Sequence, residues 1–532
     1  MRETDRRASA TYVITPMDSA GVSTETTNAA GAIHLPGSIT GAHGVASHVV
    51  SAKVNSILHW VFSFPAMLAM FLTARVFYEA RIFFVDPDVW WHIKVGQDIL
   101  VTHHFPESDP FSWTVSGSPW IAYEWLGDVL IGGVAKYAGF VGLATLLFVM
   151  ASAVTLAIYT YATMRSGNCK AGFVSALVLC SLAFASFTLR PQMIGYLLLV
   201  LLLIALERFQ QGKMGSLWLA PPLFLIWVNT HGSFIIGLGV IVVHWAMGLS
   251  YVNLGGIETK KWTPQQRIRL ELIFLLCLAA LPFTPYGVRL AIYPFDMAFS
   301  QPVNVANILE WQPMPFNVLG AKLFLALLVI FFFAQMVIRP VWRAAEVLLF
   351  FVGVVMACLH VRFVLLFVPF FAPMFATLLA RWFPVYQRKR DHYILNAAMI
   401  LGLVGAIAYY FPKSADIHRA IAKEFPVTAV AYLGQHPAPR PTFNTYNFGG
   451  YLVYSDQKVF IDGRGDLFER EGVFSDYLQA SLIRTGALQV LDRYGVQSCL
   501  LQRGEPLTVV LAASPNWERV YHDNVSELFI RR

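Results

Sequence analysis

Apolar positions in this chain come in blocks far longer than the two- or seven-residue repeats of a soluble fold. Eleven such blocks follow one another: Ile57–Phe77, Val141–Tyr161, Phe173–Phe187, Met193–Leu206, Leu217–Val228, Phe234–Met247, Ile273–Phe283, Leu323–Val337, Val347–Ala357, Phe363–Leu379 and Leu395–Tyr410. Blocks of this kind predict membrane-crossing helices, the shorter ones completed by Trp, Tyr, Lys or Arg at the interface. Ile121–Tyr137 is patterned differently. There Glu124, Asp128 and Lys136 lie on one stripe at helical spacing while Trp125, Leu126, Val129, Leu130 and Val134 fill the rest, which predicts a helix lying in the membrane surface.

On either side of this region the pattern changes. Residues 1–56 are rich in Ala, Ser, Thr and Gly without an apolar run, and read as a disordered tail. After Phe411 short helical and strand-like periods alternate. Helices are predicted at Pro426–Leu433, Gly450–Ser455, Val473–Arg484, Ala487–Tyr494 and Leu507–Ala513, and strands at Thr442–Tyr446, Lys458–Asp462, Ser498–Gln502, Glu518–Tyr521 and Ser526–Ile530. Alternation of this kind predicts a small α/β layer domain. The expected fold class is thus a polytopic α-helical membrane protein, with eleven transmembrane helices and further interfacial helices, carrying a C-terminal soluble α/β domain. Its divisions fall at 1–56, 57–411 and 412–532, and its first external loop at 78–139.

Composition excludes a soluble enzyme, since 56% of residues are hydrophobic and 13% charged, against roughly 45–50% and ~25% in soluble domains. The net charge of +7 raises the question of nucleic acid, and its distribution answers it. The tail has four basic and four acidic residues and the C-terminal region 13 of each, so the whole excess belongs to the apolar region. With Ile121–Tyr137 left out of the spans, one set of short loops holds 14 Lys and Arg against five acids, and the opposite side eight against ten. The positive-inside rule makes the first side cytoplasmic, along with the N-terminus, and turns the first loop and the C-terminal domain outward. The charge orients the chain in a bilayer, and no nucleic-acid partner is expected. Cys169, Cys180, Cys277, Cys358 and Cys499 show no C-x-x-C spacing and indicate neither zinc nor redox chemistry.

The first loop reads VDPDVWWHIKVGQDILVTHHFPESDPFSWTVSGSPWIAYEWLGDVL from Val85. Asp86 and Asp88 flank Pro87 at the outer membrane face, ahead of an amphipathic stretch Val89–Val101 that carries His92. Asp88 suits a helix cap. It also suits a general base, and carboxylates at the edge of the hydrocarbon point to function.

An Asp motif after the first span, followed by two interfacial helices and the second span, resembles the GT-C glycosyltransferases, membrane enzymes that use polyprenyl-phosphate-linked sugars. The D-P-D-x-W-W-H opening is similar to that of a bacterial branch, and more distantly to the protein mannosyltransferases and oligosaccharyltransferases. The resemblance implies residence in the bacterial cytoplasmic (inner) membrane, a polyprenyl-phosphate sugar donor, and a glycan, lipid or protein acceptor. It places Asp86 or Asp88 at the family's catalytic carboxylate, with His92 and Glu124 on the substrate side.

Such chemistry needs a base for the acceptor and positive charge or hydrogen bonds for the departing phosphate. At the outer ends of spans stand Arg190 in T-L-R-P-Q, His231 in W-V-N-T-H-G-S, and His360 and Arg362 in H-V-R-F. The two arginines suit bidentate phosphate contacts, or equally snorkelling to lipid headgroups. His231 suits a turn as well as a site, and Glu310 in I-L-E-W-Q-P either lines the same cavity or is a surface acid. Asp462 and Arg464 either reach over the cavity as substrate contacts or pair with one another. His103 and His104 with Asp109 could hold a divalent metal but lack the spacing of a metal site, so a metal is not indicated, and no cofactor is named by the sequence. Gly449 and Gly450 suit a tight strand-to-helix turn. The segment around them is similar in outline to the W-W-D-Y-G stretch of oligosaccharyltransferases, but Thr445, Tyr446 and Asn447 stand in place of Trp-Trp-Asp, which argues against glycosylation of peptide asparagine. The expected function is sugar transfer from a polyprenyl-phosphate donor at the outer face. Two alternatives stay open, a transporter or flippase of lipid-linked sugars and a non-catalytic scaffold of the same fold. A transporter would place ionisable groups near the midplane, commonly within internal repeats, whereas here no repeat is visible and the acids gather at one face.

Overall fold

The computed structural model describes residues 57–80 and 86–532, and the tail expected over 1–56 lies outside them. The described chain is mostly helical, and its eleven apolar blocks all fall on helices. Among the described residues five helices are long and apolar enough to cross a membrane: Trp125–Ser166, Gln192–Gln210, Leu319–Ile338, Val361–Leu379 and Tyr393–Tyr410. Cys169–Leu182, Met214–Val228, Phe234–Met247 and Ala344–Leu359 are apolar but shorter.

The first of the five joins two predicted elements. Trp125–Ser166 is interrupted at Gly139, whose φ of 60° and ψ of −158° lie outside the helical region and suit a residue without Cβ. The surface helix expected over Ile121–Tyr137 therefore begins at Trp125 and runs through this break into the second span. Its acidic stripe does not face water as expected. Glu124 and Asp128 are both buried, Asp128 completely, against the Val89–Thr102 helix. The crossing is close enough that a Cβ at Gly96 would collide with the Asp128 carbonyl, and one at Gly132 with the backbone of Gly96 and Gln97. Helical periodicity revealed a polar face, and a second helix rather than solvent covers it.

Four of the basic loops meet at one end of the bundle. Arg165 donates to Glu346 at 2.5 and 3.1 Å, Arg343 to Glu207 at 2.5 and 3.3 Å, and Asn168 Nδ2 to the Phe383 carbonyl at 2.8 Å. These links gather loops that the charge count assigned to a single side.

In the C-terminal region a four-stranded sheet runs in the order Thr442–Asn444, Ser498–Gln502, Ser526–Arg531, Trp517–His522. The first pair is parallel and the other two are antiparallel. Lys458–Asp462, predicted as a strand, is extended but stands outside this sheet. Its backbone groups are taken by the first loop and by a side chain: Trp113 N donates to Val459 O at 3.0 Å, Thr114 Oγ1 to Phe460 O at 2.6 Å, and the Asn444 amide bonds Phe460 N and Ile461 O at 2.8 and 2.9 Å. Gly449 and Gly450 lie inside the helix Tyr446–Tyr454 rather than in a turn before it. They are small for close approach, because a Cβ at Gly449 would strike Ile461 O and one at Gly450 would strike Pro87 O. The C-terminal region and the first loop are thus sewn together beside the D-P-D motif.

Candidate active site

The start of the Gln192–Gln210 helix organises the site. Arg190 precedes it by two residues, and its guanidinium is shared by three carboxylates. Nε and Nη2 donate to Asp86 Oδ2 and Oδ1 at 2.5 and 2.8 Å. Nη1 lies 3.0 Å from Asp88 Oδ2, and Nη2 3.1 Å from Glu310 Oε1. Exposure rises from 5% for the Asp86 side chain through 17% for Asp88 to 39% for Glu310, so the cluster opens in that order.

The two aspartates are not equivalent. Asp86 gives both oxygens to Arg190, and its Oδ1 also accepts from the Asp88 N–H at 3.0 Å. Asp88 occupies the cap position of Val89–Thr102 but makes no side-chain cap bond, which removes the capping explanation. Its single ion pair leaves Oδ1 outside the arginine fork, facing Gly463, where a Cβ would collide with it. Burial pushes the Asp88 carboxyl up to about 7, with Asp86 and Glu310 adding to the rise and Arg190 opposing it.

Beside this cluster a second constellation forms around Glu124. Its Oε1 lies 3.5 Å from His231 Nε2 and its Oε2 3.7 Å from His92 Nε2. His92 Nδ1 is 2.6 Å from Asp128 Oδ1. His231 Nδ1 accepts from the Ser233 N–H at 3.1 Å, which assigns the proton of the neutral ring to Nε2, toward Glu124. Burial pushes Glu124 up to about 8, Asp88 and Asp466 adding and Arg190 and Arg362 opposing. Burial first, then Arg362 and Arg190, holds His231 down at about 3. Burial, with Arg190 and His231, likewise lowers His92. Both imidazoles are therefore neutral at neutral pH.

Arg362 differs from Arg190. Its guanidinium lies over the Trp311 ring at 4.2 Å, within cation–π range, and among the described residues it forms no carboxylate ion pair. His360, the other candidate of that turn, is occupied in fixing Trp311, with Nδ1 2.6 Å from the Trp311 carbonyl.

The structure thus brings Asp86, Asp88, Arg190 and Glu310 into one cluster and His92, Glu124 and His231 into a second, with Arg362 acting electrostatically on the latter. Asp462 and Arg464 are placed elsewhere. Fully buried, they pair with one another at 2.7 and 2.9 Å, and Arg464 also binds Asp109 at 2.6 Å. Arg464 is further held over Trp120 at 4.7 Å. Of the two alternatives this is the mutual pairing, an internal tie between the first loop and the C-terminal region. His103 and His104 are exposed, whereas Asp109 is buried. Among the described residues no three His, Cys, Asp or Glu side chains are placed to share a metal ion, Arg190 standing where the three carboxylates converge. Sequence reasoning missed Asp128, Trp311 and Gly463 as members of the site. The i, i+4 spacing of Glu124 and Asp128 was a visible signal, while Trp311 and Gly463 gave none.

No family model matches the chain, and no curated protein does. Among solved structures it is similar to the apo oligosaccharyltransferase of Archaeoglobus fulgidus, at 11% identity and a TM-score of 0.49 over 82% of this chain and 69% of that one. The AglB oligosaccharyltransferase of the same organism, solved with an inhibitory peptide and a dolichol-phosphate, gives 12% and 0.49 over the same shares. ArnT from Cupriavidus metallidurans bound to undecaprenyl phosphate gives 13% and 0.44 over 92% of this chain and 98% of that one. These are distant likenesses of fold, and the oligosaccharyltransferases among them belong to a branch already named for the first-loop resemblance. No activity passes from them to this chain, whose own residues carry the functional reading.

Proposed function

We propose that this chain is a membrane glycosyltransferase that moves a sugar from a polyprenyl-phosphate donor to an acceptor hydroxyl at the outer face of the bacterial cytoplasmic membrane. The observation that carries the reading is the division of labour within D-P-D. Asp86 is engaged by Arg190 on both oxygens, whereas Asp88 has a single ion pair and a carboxyl raised to about 7, where a general base works best. Asp88 removes the acceptor proton, the acceptor oxygen bonds the anomeric carbon, and the bond from that carbon to the phosphate breaks with its electron pair leaving on the phosphate, inverting the sugar. Arg362, without a carboxylate partner, meets the developing charge. Arg190, expected as a phosphate contact, instead holds the catalytic loop through Asp86 and Glu310. In this reading residues 412–532 stand outside the membrane with loop 78–139, and the basic loops face the cytoplasm.

The test is release of free lipid phosphate from a polyprenyl-phosphate sugar by the purified chain in nanodiscs. Asp88→Asn is expected to slow release ~10²–10⁴-fold, the usual range for losing a general base. Full release by this variant overturns the assignment.

A further inference from the structure

Asp462, Gly463 and Arg464 form a turn that the first loop grips from two sides. On one side stands the start of the Val89–Thr102 helix, where a Cβ at Gly463 would collide with Asp88 Oδ1 and lie 3.1 Å from Trp91 Nε1. The backbone at Gly463 is not left-handed, so its glycine answers to the closeness of Asp88 and not to a conformational need. On the other side stands the stretch 109–120. Arg464 Nη1 donates to Asp109 Oδ1 at 2.6 Å, and its guanidinium lies 4.7 Å from the Trp120 ring and 5.1 Å from the Phe111 ring.

The turn is tied so as to hold one shape. Asp462 Oδ1 accepts from the Arg464 N–H at 2.9 Å, which closes an Asx turn around Gly463. The same carboxylate takes the Arg464 fork through Nε and Nη2 at 2.9 and 2.7 Å. Asp109 is rooted in its own loop, its Oδ1 accepting from Phe111 N at 3.1 Å and its Oδ2 from Ser112 N at 3.0 Å and from Ser112 Oγ. The side chains of Asp109, Asp462 and Arg464 are closed to solvent. Stability alone is weak grounds for such a network, since apolar residues of similar volume often serve as well. Direction is what apolar packing does not supply, because a two-bond fork fixes both the distance and the plane of its partner.

We propose that Arg464, held between Asp462 and Asp109, is a positioning residue that fixes Gly463 against Asp88 Oδ1 and so sets the orientation in which Asp88 takes the acceptor proton. The inference rests on the reading of Asp88 as the base. Arg190 holds Oδ2 of that carboxylate at 3.0 Å, and Gly463 bounds Oδ1, so both oxygens are set. The network reaches Asp88 through the Gly463 backbone, and Asp109 acts through Arg464.

The experiment is a double-mutant cycle on lipid-phosphate release, read as turnover at saturating polyprenyl-phosphate sugar, with the full chain in nanodiscs. Asp109→Asn leaves Arg464 its fork on Asp462 but offers a single acceptor oxygen where the carboxylate offered two. It is expected to lower turnover about tenfold, the worth of one hydrogen bond to a charged group. The KM for the donor is expected to stay within about twofold, the split that marks an interaction made in the transition state. In an Asp88→Asn background, where no base is left to position, the same change is expected to cost less than about twofold. Ser112→Ala removes one hydroxyl bond to Asp109 and keeps every charge. It is expected to show the same pattern at about threefold, and it carries the test if Asp109→Asn does not fold. Thr114→Val removes a different tie between the same two segments, the bond from Thr114 Oγ1 to Phe460 O at 2.6 Å, and is expected to keep turnover within about twofold. Wild-type turnover in Asp109→Asn overturns the proposal. So does an equal fall in both backgrounds, which is what loss of folded protein alone would give, or an equal fall in Thr114→Val, which would mean that any loosened tie has this effect. In each of those cases the loss caused by Asp88→Asn itself still stands. Full release by Asp88→Asn removes the base and the inference together.

Discussion

The two ends of the helix bundle handle buried charge in opposite ways. At the end where the basic loops meet, two arginines serve two carboxylates: Arg165 forks onto Glu346 and Arg343 onto Glu207, with Arg343 Nη1 also 3.7 Å from Glu346. At the other end one arginine serves Asp86, Asp88 and Glu310, while Arg362 is left over an indole ring. Matched pairs fix helix ends and leave nothing for a ligand to do. An arginine shared three ways leaves Asp88 one ion pair beside two like charges, which add to the rise that burial causes, and Arg362 keeps its charge free of any carboxylate among the described residues. Imbalance of this sort is a mark of a working site.

The sharpest way to break this comparison is the pH profile of turnover. In the proposed reading Asp88 takes a proton only when ionised, and its carboxyl is raised to about 7. Transfer is therefore expected to be low under acidic conditions and to rise as pH passes through about 7. Asp88→Asn, already expected to cost ~10²–10⁴-fold, should lose that limb altogether. A variant that keeps the limb would assign the titration to another group and return Asp88 to a structural role.

A smaller effect tests whether the C-terminal region belongs to the site. Gly463 stands against Asp88 Oδ1 so closely that a Cβ would displace one of them. Gly463→Ala is expected to lower turnover about 10²-fold, the scale of a 1 Å misplacement, with donor binding little changed. Turnover equal to wild type would show that Asp88 is positioned by Arg190 alone.

How much of this was legible in the sequence differs between the same two ends. Helix positions were legible because apolar runs carry a period and a length. Asp86, Asp88, Arg190, Glu310 and Arg362 were legible as candidates because charge beside hydrocarbon is costly. Which carboxylate is engaged and which is left available was not, since that depends on one guanidinium 104 residues from Asp86. The same limit hid the tie from Arg464 to Asp109, 355 residues apart, and made Lys458–Asp462 read as a strand when its partners are the first loop and Asn444. Sequence period identifies a face, and long-range packing decides what covers it.

The finest test makes the same exchange at both ends. Lys keeps the charge of Arg but gives up the planar fork that holds a carboxylate by two bonds. At Arg343, whose partner Glu207 is buried, the exchange gives up one of two charge-assisted bonds, about 1.5–3 kcal/mol of stability, and is expected to leave turnover unchanged. At Arg190 no single ammonium reproduces bonds to Asp86, Asp88 and Glu310 together. Losing one charge-assisted bond there corresponds to about tenfold or more, and it should appear in turnover because the D-P-D loop is what those bonds hold. Thermal unfolding and lipid-phosphate release, measured on Arg190→Lys and Arg343→Lys side by side, give the result. Equal losses of turnover at the two ends would mean that the bundle transmits any weakened pair to the site. A loss confined to Arg190→Lys locates the chemistry at the shared arginine.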